Sequence, residues 1–197
     1  MTEQRCYFWH VTTDIATGAR GRTRKAILDA AIRVLATEPT ASLGQIADAA
    51  DVGRTTLHRY FPERADLLAA LTQEAAVRLT DAAVRARLDE GPGLPALLRA
   101  CQECLRLGDL LTLVFTEVVS LDACGDEDGF SRSLDAACAR GLADGTLDAR
   151  LTQEWVQGTL WSSLYLAWSE LRAGTAPPHQ VLSQLLLVVE KALAAPA

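Results

Sequence analysis

Apolar residues recur at helical spacing along most of the 197-residue chain. In the first clear segment, Ile27, Leu28, Ala31, Val34 and Leu35 fall on one face of a helix with 3.6 residues per turn. Ala and Leu dominate the composition, and few segments show β-branched runs with the two-residue alternation of strands. The pattern therefore predicts an all-α fold.

Proline and glycine divide this pattern into separate helices. Pro39 ends the first helix, Gly91-Pro92-Gly93 is the clearest break, and an acidic loop covers residues 125–129. Residues 1–19 show no period, and we expect a flexible tail there, unless the biological start of the chain lies further in. The predicted helices span about 22–38, 43–50, 54–61, 62–88, 94–107, 109–122, 130–143, 152–173 and 178–194.

Two of the predicted helices are short and adjacent. Ser42 lies three residues before Gln45, which is the spacing of a capping box, so a helix begins at about Leu43. The sequence Asp51-Val52-Gly53 then predicts a turn, because Asp tolerates a left-handed backbone and Gly serves as an N-cap. A short helix, a tight turn and a second short helix form a helix-turn-helix, which we predict at about residues 43–62.

The second of these helices carries a cationic face rich in hydroxyl groups. Leu57 and Phe61 are four residues apart and face inward, so the polar side chains between them cover the outer surface. Arg can bind guanine O6 and N7, Thr can contact a base edge or a thymine methyl, and Arg and Tyr also suit phosphates. The predicted DNA-binding residues are Arg22, Arg24, Ser42, Gln45, Arg54, Thr55, Thr56, His58, Arg59, Tyr60 and Arg64. The alternative is a helical hairpin that only packs, with its charges on a solvated face.

Charge and cysteine content narrow the class of partner. The formal net charge is −6, yet basic residues outnumber acidic ones between residues 20 and 64, and the reverse holds for residues 67–197. The charge of a local segment determines which partner it binds more than the net charge of the whole chain does, so the basic segment at residues 20–64 favours DNA. No apolar run has the length of a membrane span. Five cysteines without a secretion signal indicate free thiols in a reducing cytoplasm.

Several residues at fixed spacing in these helices form a sequence motif that is typical of a known family. They are Ile27, Ala30, Ala31, Ser42, Leu43, Ile46, Ala47, Val52, Leu57, Tyr60, Phe61, Arg64 and Leu67. Over about residues 22–70 the pattern resembles the TetR family of repressors, whose members typically show T-V-x-x-I-A and L-Y-x-Y-F-x-x-K-x-x-L. This chain departs from the pattern at Asp51, Gly53, His58 and Arg64, where a turn Gly, a capping Ser or Thr, a Tyr and a Lys are usual. The resemblance implies a three-helix DNA-binding domain at residues 20–66 and a helical domain at 67–197 that binds an effector and dimerises.

The last two predicted helices are apolar on most of their sides, so they must be buried on most sides. One face can pack on the core of the same chain while the other needs a partner. A two-fold dimer through a four-helix bundle meets this need, and it places two DNA-reading heads on a pseudo-palindromic operator. The predicted interface residues are Gly158, Ser162, Leu182, Leu185, Leu186 and Val189. The alternative is a core contained entirely within one chain.

The resemblance also implies a small effector, largely apolar, that binds among the helices of the second domain and changes the separation of the two heads. The predicted ligand-binding residues are Phe115, Glu117, Trp161, Tyr165 and Trp168. Each aromatic residue can instead simply fill the core. Glu117 lies within an apolar stretch, so its carboxylate lies either at the helix surface or in a cavity, where it can pair with a cationic ligand.

Other chemical signals are weaker. Cys101 and Cys104 form a CxxC on a predicted helix without a second pair, and structural zinc needs four ligands, so we predict neither a metal nor a cofactor. The sequence shows no nucleophile–base pattern, phosphate loop or H-E-x-x-H, so we do not expect an enzyme. The leading hypothesis is a cytoplasmic, homodimeric transcriptional regulator, and a repressor rather than an activator. The alternatives are a thiol-redox-sensing DNA binder that uses these two cysteines and a helical small-molecule-binding protein that does not act on DNA.

Overall fold

The structure is a computed structural model that describes residues 18–120 and 129–196. Within these ranges the chain is helical, and an isolated bridge between Leu147 and Ala194 is the single β-type pairing. None of the helices in the described ranges is both long and apolar enough to span a membrane. The helices are α1 (Ala19–Thr37), α2 (Leu43–Ala49), α3 (Arg54–Tyr60), α4 (Arg64–Arg85), α5 (Gly93–Leu105), α6 (Asp109–Phe115), α7 (Gly129–Ala143), α8 (Gln153–Ala173) and α9 (Pro178–Leu193).

The all-α prediction is confirmed, and most helix ends fall within three residues of their predicted positions. The predicted tail extended too far, because Ala19 already belongs to α1, and residues 1–17 lie outside the described ranges. The largest error concerns α6, which ends at Phe115 and not near residue 122. Glu117 has a φ of 58°, a left-handed conformation that cannot continue a helix. The acidic loop predicted at 125–129 lies outside the described residues except for Gly129, which begins α7.

Two hydrophobic cores organise the helices, and α4 contributes to both of them. The first core, which we call the head core, is built mainly from α1, α2, α3 and the beginning of α4, including Leu67 and Leu71. The second, the body core, gathers the end of α4 with α5, α7, α8 and α9. The domain boundary predicted after residue 66 therefore falls inside the first turn of α4, ahead of side chains that belong to the head core.

Helix α6 joins the two halves of the chain. Leu110 and Leu113 enter the head core, and α6 packs directly against α1. Phe115, at the other end of α6, packs against the body core. The sequence predicted α6 as part of the second domain, but Leu110 and Leu113 pack in the head core.

Candidate DNA-binding surface and ligand site

Local capping interactions build the helix-turn-helix. The backbone N–H of Gln45 donates to Ser42 Oγ at 3.2 Å, and the Ser42 N–H donates to Gln45 Oε1 at 2.7 Å, which completes the predicted capping box. Asp51 has a φ of 53°, and Gly53 is the N-cap of α3, so the predicted turn is confirmed. Because Ser42 and Gln45 use their polar atoms to begin α2, the structure gives both residues a role in holding the motif.

Helix α3 presents its polar residues as the spacing predicted. Leu57 and Phe61 are buried at 0% and 3% exposure, in the head core. Arg54, Thr55, His58 and Arg59 are exposed, whereas Thr56 is half-buried. The Nδ1 atom of His58 lies 3.2 Å from the Pro62 carbonyl oxygen, within hydrogen-bonding distance of its own chain. The exposed set therefore offers two guanidinium groups and the hydroxyl group of Thr55 to a partner.

The start of α1 lies beside the end of α3. The Tyr60 hydroxyl donates to the Arg20 carbonyl at 3.2 Å, and the guanidinium groups of Arg20 and Arg59 lie 5.9 and 5.8 Å from the Tyr60 ring centroid. The Arg24 guanidinium lies 5.7 Å from the ring centroid of Phe61. These contacts bring two separate basic segments of the sequence onto one face. We call this face the basic surface, formed by Arg20, Arg22, Arg24, Arg54 and Arg59, all exposed.

Arg54 rests on a glycine of the neighbouring helix. A Cβ atom added to Gly44 of α2 would lie 3.2 Å from Arg54 Nε and 3.3 Å from its Cζ. The guanidinium therefore passes over the one position of α2 that has no side chain. Sequence spacing could not indicate this contact, because Gly44 and Arg54 belong to different helices whose crossing depends on the turn between them.

Arg64 has a different environment from the one expected of a phosphate-binding residue. Its side chain is half-buried, and its guanidinium donates to the carbonyl of Pro39 at 2.6 Å and to that of Ala41. These carbonyls belong to the loop between α1 and α2, so Arg64 joins the start of α4 to that loop. These bonds give Arg64 a structural role in addition to the predicted DNA contact, which stays a prediction because the guanidinium has further N–H groups to donate.

Aromatic side chains from α6, α7 and α8 form one cluster. Phe115 lies 6.3 Å from Trp161, 5.4 Å from Tyr165 and 5.4 Å from Trp168, measured between ring centroids. Phe130 joins the cluster 6.0 Å from Trp161. Four of the five predicted ligand-binding residues are thus brought together by tertiary packing. We call these five rings the aromatic cluster.

Little space remains beside the cluster. A cavity of about 10 Å³ lies next to Trp161 and Phe130, and its other lining residues include Cys101 and Cys104. This volume is about that of a single water site, so an organic ligand must displace side chains to enter. Glu117 is exposed in the turn after α6. The structure thus has its carboxylate at the surface, which is one of the two positions that the sequence left open, and its role in ligand binding stays a prediction.

The residues predicted for the dimer interface differ in their exposure. Gly158 and Ser162 are exposed on α8, and Leu182 and Leu186 are half-buried on α9. Two predicted residues are wrong for an outer face, because Leu185 and Val189 are 4% and 0% exposed within the body core. The apolar residues exposed on these helices are Trp155, Leu166, Leu187 and Val188, at 70%, 57%, 50% and 49% exposure, together with Tyr165 of the aromatic cluster.

The cysteines of the CxxC are buried. Burial raises the pKa of both thiols, Cys101 and Cys104, to about 12. Reaction with oxidants and disulfides requires the thiolate, which a pKa this high makes scarce near neutral pH. The environment therefore disfavours the thiol-sensing alternative.

Comparison with known proteins adds a family pattern to this geometry. Residues 27–71 match the family described as bacterial regulatory proteins, tetR family. The HTH-type transcriptional repressor LfrR of Mycolicibacterium smegmatis is 37% identical over 173 residues, which cover 87% of this chain and 90% of LfrR. The HTH-type transcriptional repressor KstR of the same organism is 28% identical over 171 residues, covering 82% of this chain and 83% of KstR.

Solved structures agree with these matches. The crystal structure of LfrR from Mycobacterium smegmatis in complex with proflavine has a TM-score of 0.69 at 35% identity, and the match covers 87% of this chain and 96% of LfrR. A second crystal structure of LfrR has a TM-score of 0.59 at 32% identity, and the match covers 83% of this chain and 95% of LfrR. The likeness therefore extends over both the head and the body.

Proposed function

The chain belongs to the TetR family of bacterial regulatory proteins. On this premise we propose which of its surfaces bind DNA, form a dimer and bind an effector. It is a sequence-specific DNA-binding transcriptional repressor that a small molecule regulates. Its relatives are transcriptional repressors and not enzymes. We place the protein in the cytoplasm, where a repressor meets its operator.

The basic surface is our candidate for the DNA contact. The observation that carries this assignment is the contact between the start of α1 and the end of α3, where Arg20 lies against Tyr60 and Arg24 against Phe61. Arg54, Thr55 and Arg59 are exposed on α3, whose Leu57 is buried. Helix α3 enters the major groove, where Arg54 and Thr55 at its beginning read base edges. Arg20, Arg22 and Arg24 bind the phosphate backbone on either side.

The exposed apolar face of α8 and α9 is our candidate for the homodimer contact. Trp155, Gly158, Ser162 and Leu166 follow one another along α8 at intervals of three or four residues, and they share one side of the helix. Leu187 and Val188 present apolar surface on α9, and α9 packs against α8. Two copies joined through this face form a four-helix bundle with two-fold symmetry, which matches a pseudo-palindromic operator.

The aromatic cluster is our candidate for the effector site, and flat aromatic molecules, including cations, are the class that fits it. Ring faces attract cations, and Trp168 already holds one, because the guanidinium of Arg172 lies 5.7 Å from its ring centroid. The similar repressor LfrR has been crystallised with proflavine.

Selection of bound duplexes from a random DNA pool tests the DNA assignment. We expect one enriched pseudo-palindrome, and its complex should lose on the order of 10³-fold or more in affinity between 50 and 200 mM salt, because two heads each displace several counterions. When the same pool is selected with the Arg54→Ala variant, the bound sequences should show no preference at one base pair of each half-site. Recovery of no common sequence by the unaltered protein would contradict the proposal.

A further inference from the structure

One hydrogen bond joins α8 directly to the end of α1. The Arg172 Nη1 atom donates to the Ala36 carbonyl oxygen at 3.0 Å, across 136 positions of sequence. Ala36 lies in the last turn of α1, where carbonyl groups have no partner within the helix. A guanidinium suits this place for a second reason, since the C-terminal end of a helix carries a partial negative charge.

The same guanidinium is held on its other side by a residue of the aromatic cluster. Arg172 lies over the Trp168 ring, and its Nη1 atom is 3.4 Å from Thr112 Oγ1. The indole Nε1 of Trp168 donates to this same hydroxyl oxygen at 3.0 Å. Thr112 is 4% exposed, so water has little access to its side chain. We call Ala36, Thr112, Trp168 and Arg172 the Arg172 junction.

We propose that Arg172 is a positioning residue of the DNA-binding head, and that its hold on α1 depends on the position of the Trp168 indole. The proposal rests on the assignment of the aromatic cluster as the effector site. Arg172 holds the end of α1 against α6 and α8, while the beginning of α1 carries Arg20, Arg22 and Arg24 of the basic surface. A helix is stiff, so an altered contact at one end of α1 changes where these arginines lie.

An effector that enters the aromatic cluster must move its rings, because the neighbouring cavity measures only about 10 Å³. Trp168 has ring neighbours in Phe115, at 5.4 Å, and Tyr165, at 5.3 Å, so a ligand among them displaces the indole. That movement removes the N–H donated to Thr112 and the ring face beneath Arg172 in one step. The guanidinium then loses one of its three contacts, the ring face, and the Thr112 hydroxyl beside it loses the N–H that helps to fix its position, so the bond from Arg172 to Ala36 weakens.

Operator affinity in the absence of any ligand tests the positioning role. We expect Arg172→Ala in the full-length protein to bind the selected operator about tenfold more weakly by fluorescence anisotropy. Arg172→Lys should recover most of the loss, because an ammonium can still donate to the Ala36 carbonyl. Trp168→Phe, which keeps a ring but removes the N–H, should weaken binding less, and should add nothing in the Arg172→Ala background. The last two variants carry the test if the alanine variant does not fold.

Arg33→Ala is the matched control, since it removes an exposed cation from the later half of α1 without touching the Ala36 carbonyl. A loss no greater for Arg172→Ala than for Arg33→Ala would overturn the proposal. Failure of Arg172→Lys to recover affinity beyond the alanine variant would also overturn it. Amide hydrogen exchange over residues 34–41 should accelerate in Arg172→Ala, and an unchanged rate there would count equally against the junction.

Proflavine as a probe separates this proposal from the proposed function. In the unaltered protein, saturating proflavine should weaken operator binding by about 5- to 150-fold. In Arg172→Ala the same ratio should fall to about threefold or less, because the variant already has the weaker contact. If proflavine leaves the unaltered protein's operator affinity unchanged, the proposed effector class is wrong, and the ligand-free measurements still decide the role of Arg172.

Discussion

The head and the body of this protein expose different kinds of side chain. On the head, Arg54, Thr55 and Arg59 are exposed on α3, which is anchored by the fully buried Leu57. In the body, the rings of the aromatic cluster pack against one another, and all of them except Tyr165 are buried or half-buried. An exposed surface can contact a partner such as DNA without rearrangement, whereas a ligand that enters a set of packed rings must move them. If the proposed sites are right, we expect the larger movement in the body and the smaller one in the head.

The head and the body also present surfaces that favour different interactions, electrostatic attraction on the head and burial of apolar area in the body. The basic surface offers charge, which acts over several ångströms and weakens with salt. The exposed face of α8 and α9 offers Leu166, Leu187 and Val188, whose burial is largely insensitive to salt. Under the proposed function, DNA binding by a dimer depends on both surfaces, so variants of each surface separate their contributions.

The largest expected effect comes from breaking the dimer face of the body. Val188→Glu places a charge in the proposed interface, and one head alone should bind the operator on the order of 10²- to 10⁴-fold more weakly than two linked heads. Sedimentation measures the loss of the dimer, and fluorescence anisotropy measures the loss of operator affinity. Val84→Glu is the matched control, because Val84 is 71% exposed on α4, outside this face. A Val188→Glu variant that remains dimeric would contradict the proposed interface.

The next effect separates a DNA contact from a structural contact within the head. Arg54→Ala should cost roughly 1–3 kcal/mol of operator affinity and relax preference at one base pair, with the midpoint of thermal unfolding little changed. Arg64→Ala should instead lower the free energy of unfolding by about 1–3 kcal/mol, because the carbonyls of Pro39 and Ala41 lose their donor. The two variants are compared by binding titration and by thermal denaturation. If Arg64→Ala keeps the stability of the unaltered protein and only weakens DNA binding, the phosphate role predicted from the sequence holds after all.

A smaller effect concerns the glycine beneath Arg54. Gly44→Ala should shift the guanidinium by a few tenths of an ångström and lower operator affinity severalfold, since a new Cβ would lie 3.2 Å from Arg54 Nε. A double-mutant cycle with Arg54→Ala measures this coupling. In the Arg54→Ala background, Gly44→Ala should change nothing in DNA binding. An equal effect in both backgrounds would mean that Gly44 acts without Arg54.

The smallest expected effect is on the cysteines of the body, because we expect Cys101 and Cys104 to react very slowly in the native protein. With burial raising the pKa of Cys101 and Cys104 to about 12, about one thiol in ten thousand is ionised at pH 8. Labelling of these two residues by a thiol-reactive disulfide in the native protein, followed by mass spectrometry, should therefore be very slow, and rapid in denaturant. Oxidant should leave operator affinity unchanged. Rapid native labelling, with loss of DNA binding, would restore the redox-sensing alternative.

The sequence by itself determined the elements whose causes are local. The capping box of Ser42 and Gln45, the turn at Asp51 and the inward pair Leu57 and Phe61 all depend on residues a few positions apart, and all are present as predicted. Helical periodicity likewise placed most of the helices. The end of α6 was missed because an apolar run continues beyond Phe115, and the sequence gives no sign that Glu117 takes a left-handed backbone.

Only the tertiary structure decided which residues of distant segments meet. It placed Arg20 beside Tyr60, Arg54 over Gly44, and Arg172 between Trp168 and Ala36. It also decided which apolar residues of α9 face inward, so that Leu185 and Val189 fill the core while Leu187 and Val188 remain exposed. The apolar run 185–189 covers more than one side of α9, so the sequence alone does not show which of these side chains face inward. The neighbouring helices choose that face, and the choice determines which side chains are left for a partner.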